Sequence, residues 1–419
     1  MLTRFARAAV IIAVSAGVVA AMSAPASAAR PSPLPHTVTL DSAQLLVTKV
    51  RYQLRDPAVV APMHTLLGQA DADLSAGPWT IATKTQLPPS GDTHDYLSEA
   101  PYWWPTQPKT ADNPWGCPYV QRDGVRNPAV DDIPDHDIRG TAFDAIYKLS
   151  LAWYYTGKRV YAERARLDLR TWFLEPATRM NPNMNFTQFI PCVVDGRGTG
   201  IIEFSDALPD VIDAVAILDS GAPSWTPADR AGMTSWFTDF LRWLQTSKNG
   251  TDEAAATNNH GSFFDEQEAA LALYTGQRDL ARNIVRQAEQ SRIDVQIAAD
   301  GTQPLELVRT RSWHYSIFNL MALTRLAQIG RHVGVDVWHY RNANGATLFD
   351  AVDYLIPAAT QGQAAWAYPE LTFQSYYATG ALHAAADVGD RAAAQALSST
   401  PPPPGGDLWL VRPAAEDLG

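Results

Sequence analysis

The chain is short of positive charge. Its 33 lysines and arginines face 44 aspartates and glutamates, a formal charge of −11 over 419 residues, which argues against nucleic acid or an anionic membrane as partner. A polyanionic substrate stays open, provided that a locally basic cleft receives it. Past the N-terminus, no stretch is apolar and long enough for the roughly 20-residue helix that crosses a bilayer, so the mature chain is expected to be free of membrane. Cysteine is scarce as well. Cys117 and Cys192 are either two separate buried thiols or, in an exported protein, one disulfide closing a loop worth roughly 4 kcal/mol in the chain-entropy view. Neither lies in a catalytic motif. The middle of the chain has no Gly/Ser linker and no charge run, and no short repeat of fixed period recurs. These absences disfavour a flexibly tethered pair of domains and a regular solenoid.

What is present begins with Arg4 and Arg7, an apolar run from Ala8 to about Ala21, and Ala26-Ser27-Ala28 just before Arg30. These are the three parts of a secretory signal peptide, expected over residues 1–29. The mature protein is then expected outside the cytoplasm, extracellular or periplasmic, and as a monomer. One domain is expected over 30–398, with 399–419 an extended tail carrying Pro401 to Pro404 and Gly405-Gly406.

From about Asp137 onward, apolar residues recur at helical spacing in segments separated by short Gly, Pro or Asp breaks. The segments are Ala142 to Tyr155, Tyr161 to Leu174, Ile201 to Leu218, Ala228 to Leu244, Phe263 to Tyr274, Leu280 to Ile297, Trp313 to Ile329 and Leu348 to Leu355. Short breaks make consecutive helices antiparallel neighbours. The expected fold is all-α, an incomplete α/α toroid of helical hairpins. Two regions break the pattern, Lys84 to Asp135, dense in aromatics, and Asn181 to Gly200. Loops so long inside a compact domain are usually functional or disordered, and aromatic content speaks against disorder.

Three constellations could carry chemistry. Asn258-Asn259-His260-Gly261 sets an imidazole beside a carboxamide, although a polar capping turn would use the same residues. Arg309, Arg311, His314 and Tyr315 fall within seven residues, with Arg311 and Tyr315 on one helical face; a solvated ion-pairing face is the plainer explanation. The loop His94 to Pro105 contains Tyr102, Trp103 and Trp104, rings that stack on the flat faces of sugars or pin the loop to the core.

The aromatic loop, the Asn181-Pro182-Asn183-Met184-Asn185-Phe186 loop, the Asn-Asn-His-Gly turn, and Pro304-Leu305-Glu306-Leu307 followed by Arg311-Ser312-Trp313-His314-Tyr315 share their order with one family. From about Lys84 to Glu370 the chain resembles the alginate lyase superfamily of polysaccharide lyases. The resemblance implies an α/α toroid with a cleft across its mouth and metal-free, cofactor-free β-elimination on an acidic, uronate-containing polysaccharide. Its catalytic group maps onto Asn259, His260, Arg309 or Arg311, and Tyr315, with Arg309 favoured for the substrate and Arg311 for support. Substrate contacts are expected from Tyr102, Trp103, Trp104, Asn258, Gln188, Arg197, Arg311 and His314, with Glu203 beside the second loop and Lys84 and Arg122 adding positive charge.

The residue types suit that chemistry. Removing the C5 proton of a uronate builds negative charge on its carboxylate, which donors from Asn259, His260 and an arginine would neutralise, each worth roughly 3–4 kcal/mol in comparable sites. Tyr315 can serve as base or acid if nearby cations lower its pKa from about 10, and His260 can be the base when the C5 hydrogen lies across the ring from O4. Two rivals remain. A glycoside hydrolase would need two carboxylates about 5 to 9.5 Å apart, for which Asp265, Glu266, Glu203 and Glu306 are available. A non-catalytic carbohydrate-binding protein would keep the aromatic loop alone. The Asp131 to Asp137 stretch lacks the ligand spacing of calcium loops and reads as acids at a helix N-terminus.

Overall fold

In the computed structural model, which describes residues 34–194, 198 and 200–413, the helical periodicity becomes two layers bent into an arc. The inner layer is Asp135–Thr156, Leu208–Asp219, Asn259–Tyr274, Ser312–Val333 and Thr379–Asp387, each packed on the next. The outer layer includes Arg159–Leu169 against the first of these, Pro227–Thr246 and Arg278–Ala288 against the third, and Arg391–Leu397 against the fifth. The apolar pattern decides the layer. Arg278–Ala288 buries Ala281, Ile284, Val285 and Ala288, one stripe at i, i+3, i+4 and i+7, the mark of a helix with a single dry face. Leu208–Asp219 buries every residue from Leu208 to Leu218 except Asp210, and a helix apolar all round belongs inside. This is the incomplete α/α toroid expected from the sequence.

Local rules set many of the ends. Gly157 and Gly334 terminate two inner helices at φ 70° and 78°, a conformation that glycine adopts without a Cβ penalty. Thr226 and Asp229 form a reciprocal capping box ahead of Pro227. Other expected boundaries shift. The Trp313 helix runs through Gly330 to Val333, with Gly330 required by packing, since a Cβ there would meet the Val335 carbonyl at 2.7 Å. The Ile201 to Leu218 segment divides before Pro209, which starts the helix Leu208–Asp219. Leu280 to Ile297 is interrupted by one wide turn at Glu289–Ile293. Pro304 to Arg311 does not begin the Tyr315 helix. It forms a separate turn, Pro304–Leu307, and the chain re-enters a helix at Ser312 with Arg311 as its cap.

Helices that escape the sequence pattern include Ser42–Gln53, Pro57–Asp73 with Pro62 inside it, Lys248–Ala254, Ile356–Gln361, Thr379–Asp387 and Arg391–Leu397. The C-terminal tail is docked through residue 413. Val411 is fully buried, Thr48 donates to the Leu410 carbonyl at 3.2 Å, Tyr147 donates to Pro413 at 3.0 Å, and the Trp409 ring stacks on His383. This strap joins the last inner helix to the first. The expected leader, residues 1–29, lies outside the described residues. No described helix is long and apolar enough to cross a membrane.

The two irregular regions are sewn together over one end of the arc. Strand β1 (Leu97–Glu99) pairs in parallel with β4 (Phe186–Phe189), and β2 (Trp103–Pro105) pairs antiparallel with β3 (Tyr119–Gln121). A disulfide joins Cys117 to Cys192, with Cα atoms 6.2 Å apart. Asp95 accepts from the amides of Asn181 and Asn183 at 2.9 and 3.0 Å. Lys84, expected to charge the cleft, instead lies beneath these loops in a fully buried pair with Asp135 at 2.9 Å. It also donates to the Thr93 and Asp95 carbonyls, and such complete pairing is what lets a lysine be buried.

Candidate active site

The loops and the N-terminal ends of three inner helices, Asp135–Thr156, Asn259–Tyr274 and Ser312–Val333, enclose a cleft of about 1650 Å³. Its wall gathers Tyr102, Trp103, Gln188, Asn258, Asn259, His260, Arg309, Arg311, His314 and Tyr315, segments far apart in the chain. Trp104 is not in that wall. Successive strand residues point to opposite sides, so Trp103 on β2 faces the cleft while Trp104 turns away, donating Nε1 to the Val125 carbonyl at 3.0 Å beneath the Arg122 guanidinium at 4.6 Å. Arg122 is thereby spent on the outer side as well. Arg197 lies outside the described residues. A smaller cavity of about 260 Å³ beneath the C-terminal strap has none of the predicted site residues in its described lining.

Asn259 and His260 open their helix. The Asn259 backbone N–H, left without a partner in a first turn, donates to Glu306 Oε1 at 2.9 Å, and its Nδ2 donates to Oε2 at 2.7 Å. Because a carboxylate only accepts, this grip also orients the carboxamide. His260 Nδ1 lies 2.8 Å from Glu253 Oε1, which assigns the N–H to Nδ1 and leaves Nε2 for the cleft. Burial opposes charge on this imidazole, but Glu253 outweighs it, with Glu306 assisting, so its pKa lies above the usual 6.5. The glycine of the motif is required by packing: a Cβ on Gly261 would come within 2.4 Å of Arg292.

Arg309 and Tyr315 form a stacked pair, the guanidinium carbon 3.7 Å from the ring centroid. Asp123 takes Arg309 Nε and Nη2, the shortest contact being 2.6 Å, and leaves Nη1 outside that grip. Burial works against the Arg309 charge, and Asp123 more than restores it. The Tyr315 hydroxyl donates to Tyr102 Oη at 2.9 Å. The condition set for Tyr315, a phenol pKa lowered by nearby cations, is not met: burial and the neighbouring Tyr102 push it well up, with Arg309 only partly opposing. Tyr315 is therefore a protonated phenol at ordinary pH. Arg311 sits at the helix cap, its backbone bridged to Glu370. His314 is buried and stacks on Phe318, edge-on to Tyr315. Gln188 adopts φ 50° at an irregularity in the β1–β4 pairing, a local distortion that re-aims a side chain.

The carboxylates that a hydrolase would use are each held by the protein's own groups. Asp265 takes two bonds from Arg292, Glu306 holds Asn259, Glu203 accepts from Tyr96 and Ser98, and Glu266 is fully buried 3.7 Å from Arg325. Two acids of the Asp131 to Asp137 stretch have structural partners too, Asp131 with Arg126 and Asp135 with Lys84. Among the described residues, no three His, Cys, Asp or Glu side chains cluster as metal ligands. Sequence reasoning missed Glu253 and Asp123 and gave Glu306 no positioning role. Asp123 is 186 residues from Arg309, beyond any local signal, whereas Glu306 stood inside a quoted motif.

A family model described as Alginate lyase matches residues 80–366. The crystal structure of an alginate lyase from Bacteroides ovatus is similar at a TM-score of 0.82 and 33% identity, over 90% of this chain and 99% of that one. A tyrosine-to-phenylalanine variant of alginate lyase A1-III, complexed with a tetrasaccharide, gives 0.56 at 16% identity, over 92% and 99%. A histidine-to-alanine variant of the same enzyme, also with tetrasaccharide, gives 0.53 at 18%, over 85% and 97%. At such identities these two likenesses concern the fold alone. A search of curated protein sequences returns no match.

Proposed function

Because the chain belongs to the alginate lyase family and is a polysaccharide lyase, we propose that it cleaves alginate or a related polyuronate by β-elimination without a metal ion. The observation that carries this reading is the cleft that gathers Asn259, His260, Arg309 and Tyr315, two of them with oppositely suited proton chemistry. Groups whose surroundings separate their roles mark the acid and the base.

The uronate carboxylate lies against the Asn259 amide and the free edge of Arg309, which stabilise the charge that develops as the C5 proton leaves. Neutral His260 accepts that proton at Nε2, since Glu253 fixes its tautomer. The C5–H electron pair becomes the C4–C5 double bond, the C4–O4 bond breaks, and O4 takes the proton of the protonated Tyr315. This route suits a uronate whose C5 hydrogen lies across the ring from O4. Solvent exchange then restores both side chains. Trp103 and Tyr102 line the path of the sugar rings.

Export is part of the proposal. Arg4, Arg7, the apolar run and Ala26-Ser27-Ala28 form a leader, and a disulfide between Cys117 and Cys192 suits an oxidising compartment. The test of function is a panel of pure uronate polymers, scored by ultraviolet absorbance of the unsaturated ends with and without a chelator. Absorbance that grows equally in both is expected. New reducing ends without absorbance would overturn elimination, and activity lost to the chelator and restored by calcium would overturn the metal-free route.

A further inference from the structure

We propose that His136 is a second substrate-binding residue, holding the carboxylate of a uronate next along the cleft from the reacting sugar. The proposal rests on the polyuronate reading above and adds a subsite to it. His136 stands in the first turn of Asp135–Thr156 and lines the same cleft as His260. Its Nδ1 lies 2.9 Å from Glu203 Oε1, and its side chain is 38% exposed against 6% for Glu203. Glu203 also accepts from the Tyr96 hydroxyl at 2.6 Å and from Ser98 Oγ at 2.9 Å. This repeats the arrangement of Glu253 with His260 at 2.8 Å. In each pair a buried carboxylate holds Nδ1–H and turns the other ring nitrogen outward.

The two histidines are joined along one wall. Ser98 Oγ accepts from the Gln188 backbone at 2.9 Å, and a Cβ on Gly200 would lie 2.7 Å from Gln188 Oε1 and 3.4 Å from His260 Cε1. The groups facing His136 favour a proton on it. Burial opposes the charge, yet Glu203 outweighs it, Arg139 opposes and Asp206 assists, so the imidazole pKa lies above 6.5. Two arginines along the cleft are already engaged by the protein's own carboxylates, Arg139 with Asp206 and Arg325 with Asp210, and Arg309 is committed to the reacting uronate. A protonated His136, with one N–H on Glu203, keeps a second donor for a carboxylate that arrives with the substrate.

The test is His136→Gln, made in the wild-type and Tyr315→Phe backgrounds. Its side chain is partly exposed, so folding is checked only by melting temperature. KM for polymer and long oligomers should rise about tenfold or more, as for loss of a charge-assisted hydrogen bond, with kcat within about threefold and the shortest cleavable oligomer unaffected. In the Tyr315→Phe background, calorimetric binding of a long uronate oligomer should weaken by the same factor. Unchanged KM and binding at every length would overturn the proposal, as would an equal loss at all lengths accompanied by a lower melting temperature. If wild-type enzyme bound the oligomer, lost that binding on His136→Gln, and yet formed no unsaturated product, the lyase mechanism would fall while this subsite stood.

Discussion

Tyr315→Phe deletes one oxygen atom at the point where the proposed chemistry is narrowest. The ring is buried and stacked under Arg309 at 3.7 Å, and the variant keeps both features. Folding loses one neutral hydrogen bond, the 2.9 Å contact to Tyr102, worth about 1 kcal/mol, so the melting temperature should fall by no more than about 4 °C. Catalysis loses the donor to O4. General acid–base groups typically contribute about 10²- to 10⁴-fold, equivalent to roughly 3–5 kcal/mol of barrier. The catalytic cost should thus exceed the folding cost severalfold. Initial rates of absorbance growth, a thermal melt and calorimetric binding of polymer separate the two. Turnover within about threefold of wild type refutes Tyr315 as the proton donor. A melting collapse in step with the activity loss would instead make the hydroxyl structural.

The legible part of this molecule was the part with a period. Leu208 to Leu218 and Ala281 to Ala288 announce an inner and an outer helix by the width of their apolar faces, and Gly157 announces its stop. Thr379–Asp387 and Arg391–Leu397 were missed because short, alanine-rich helices give a weak stripe, and Pro57–Asp73 because Pro62 reads as a breaker. Motif order brought forward the residues of the cleft wall, including Asn259, His260 and Tyr315. It could not divide Trp103 from Trp104, since that depends on which way β2 faces, nor find Asp123 and Glu253, whose roles arise only when distant segments meet. The direction of the Tyr315 pKa could not be read from the sequence, because burial, invisible there, outweighs the one stacked arginine.

Other outcomes follow from the same geometry. With His260 as base and its pKa raised above 6.5 by Glu253 against burial, kcat/KM should climb as pH rises through that raised value. Glu253→Gln should move the climb to lower pH, and a fall across that window would make His260 a cationic donor instead. Trp103→Ala should raise KM for polymer whereas Trp104→Ala should leave kinetics unchanged, because only the first lines the cleft; equal effects on KM would contradict the strand's facing. The last test is Glu306→Gln, which keeps volume but leaves one acceptor where Asn259 presents two donors at 2.9 and 2.7 Å. One buried N–H then faces another, costing about 1–3 kcal/mol of stability, and the carboxamide loses its fixed direction. Since the charge on that carboxylate grows as the C5 proton leaves, the amide acts most strongly in the transition state, and kcat should fall about 10²-fold with a smaller change in KM. A stability loss with kcat intact would show that Glu306 only caps its helix partner, and the role of Asn259 at the carboxylate would fall with it.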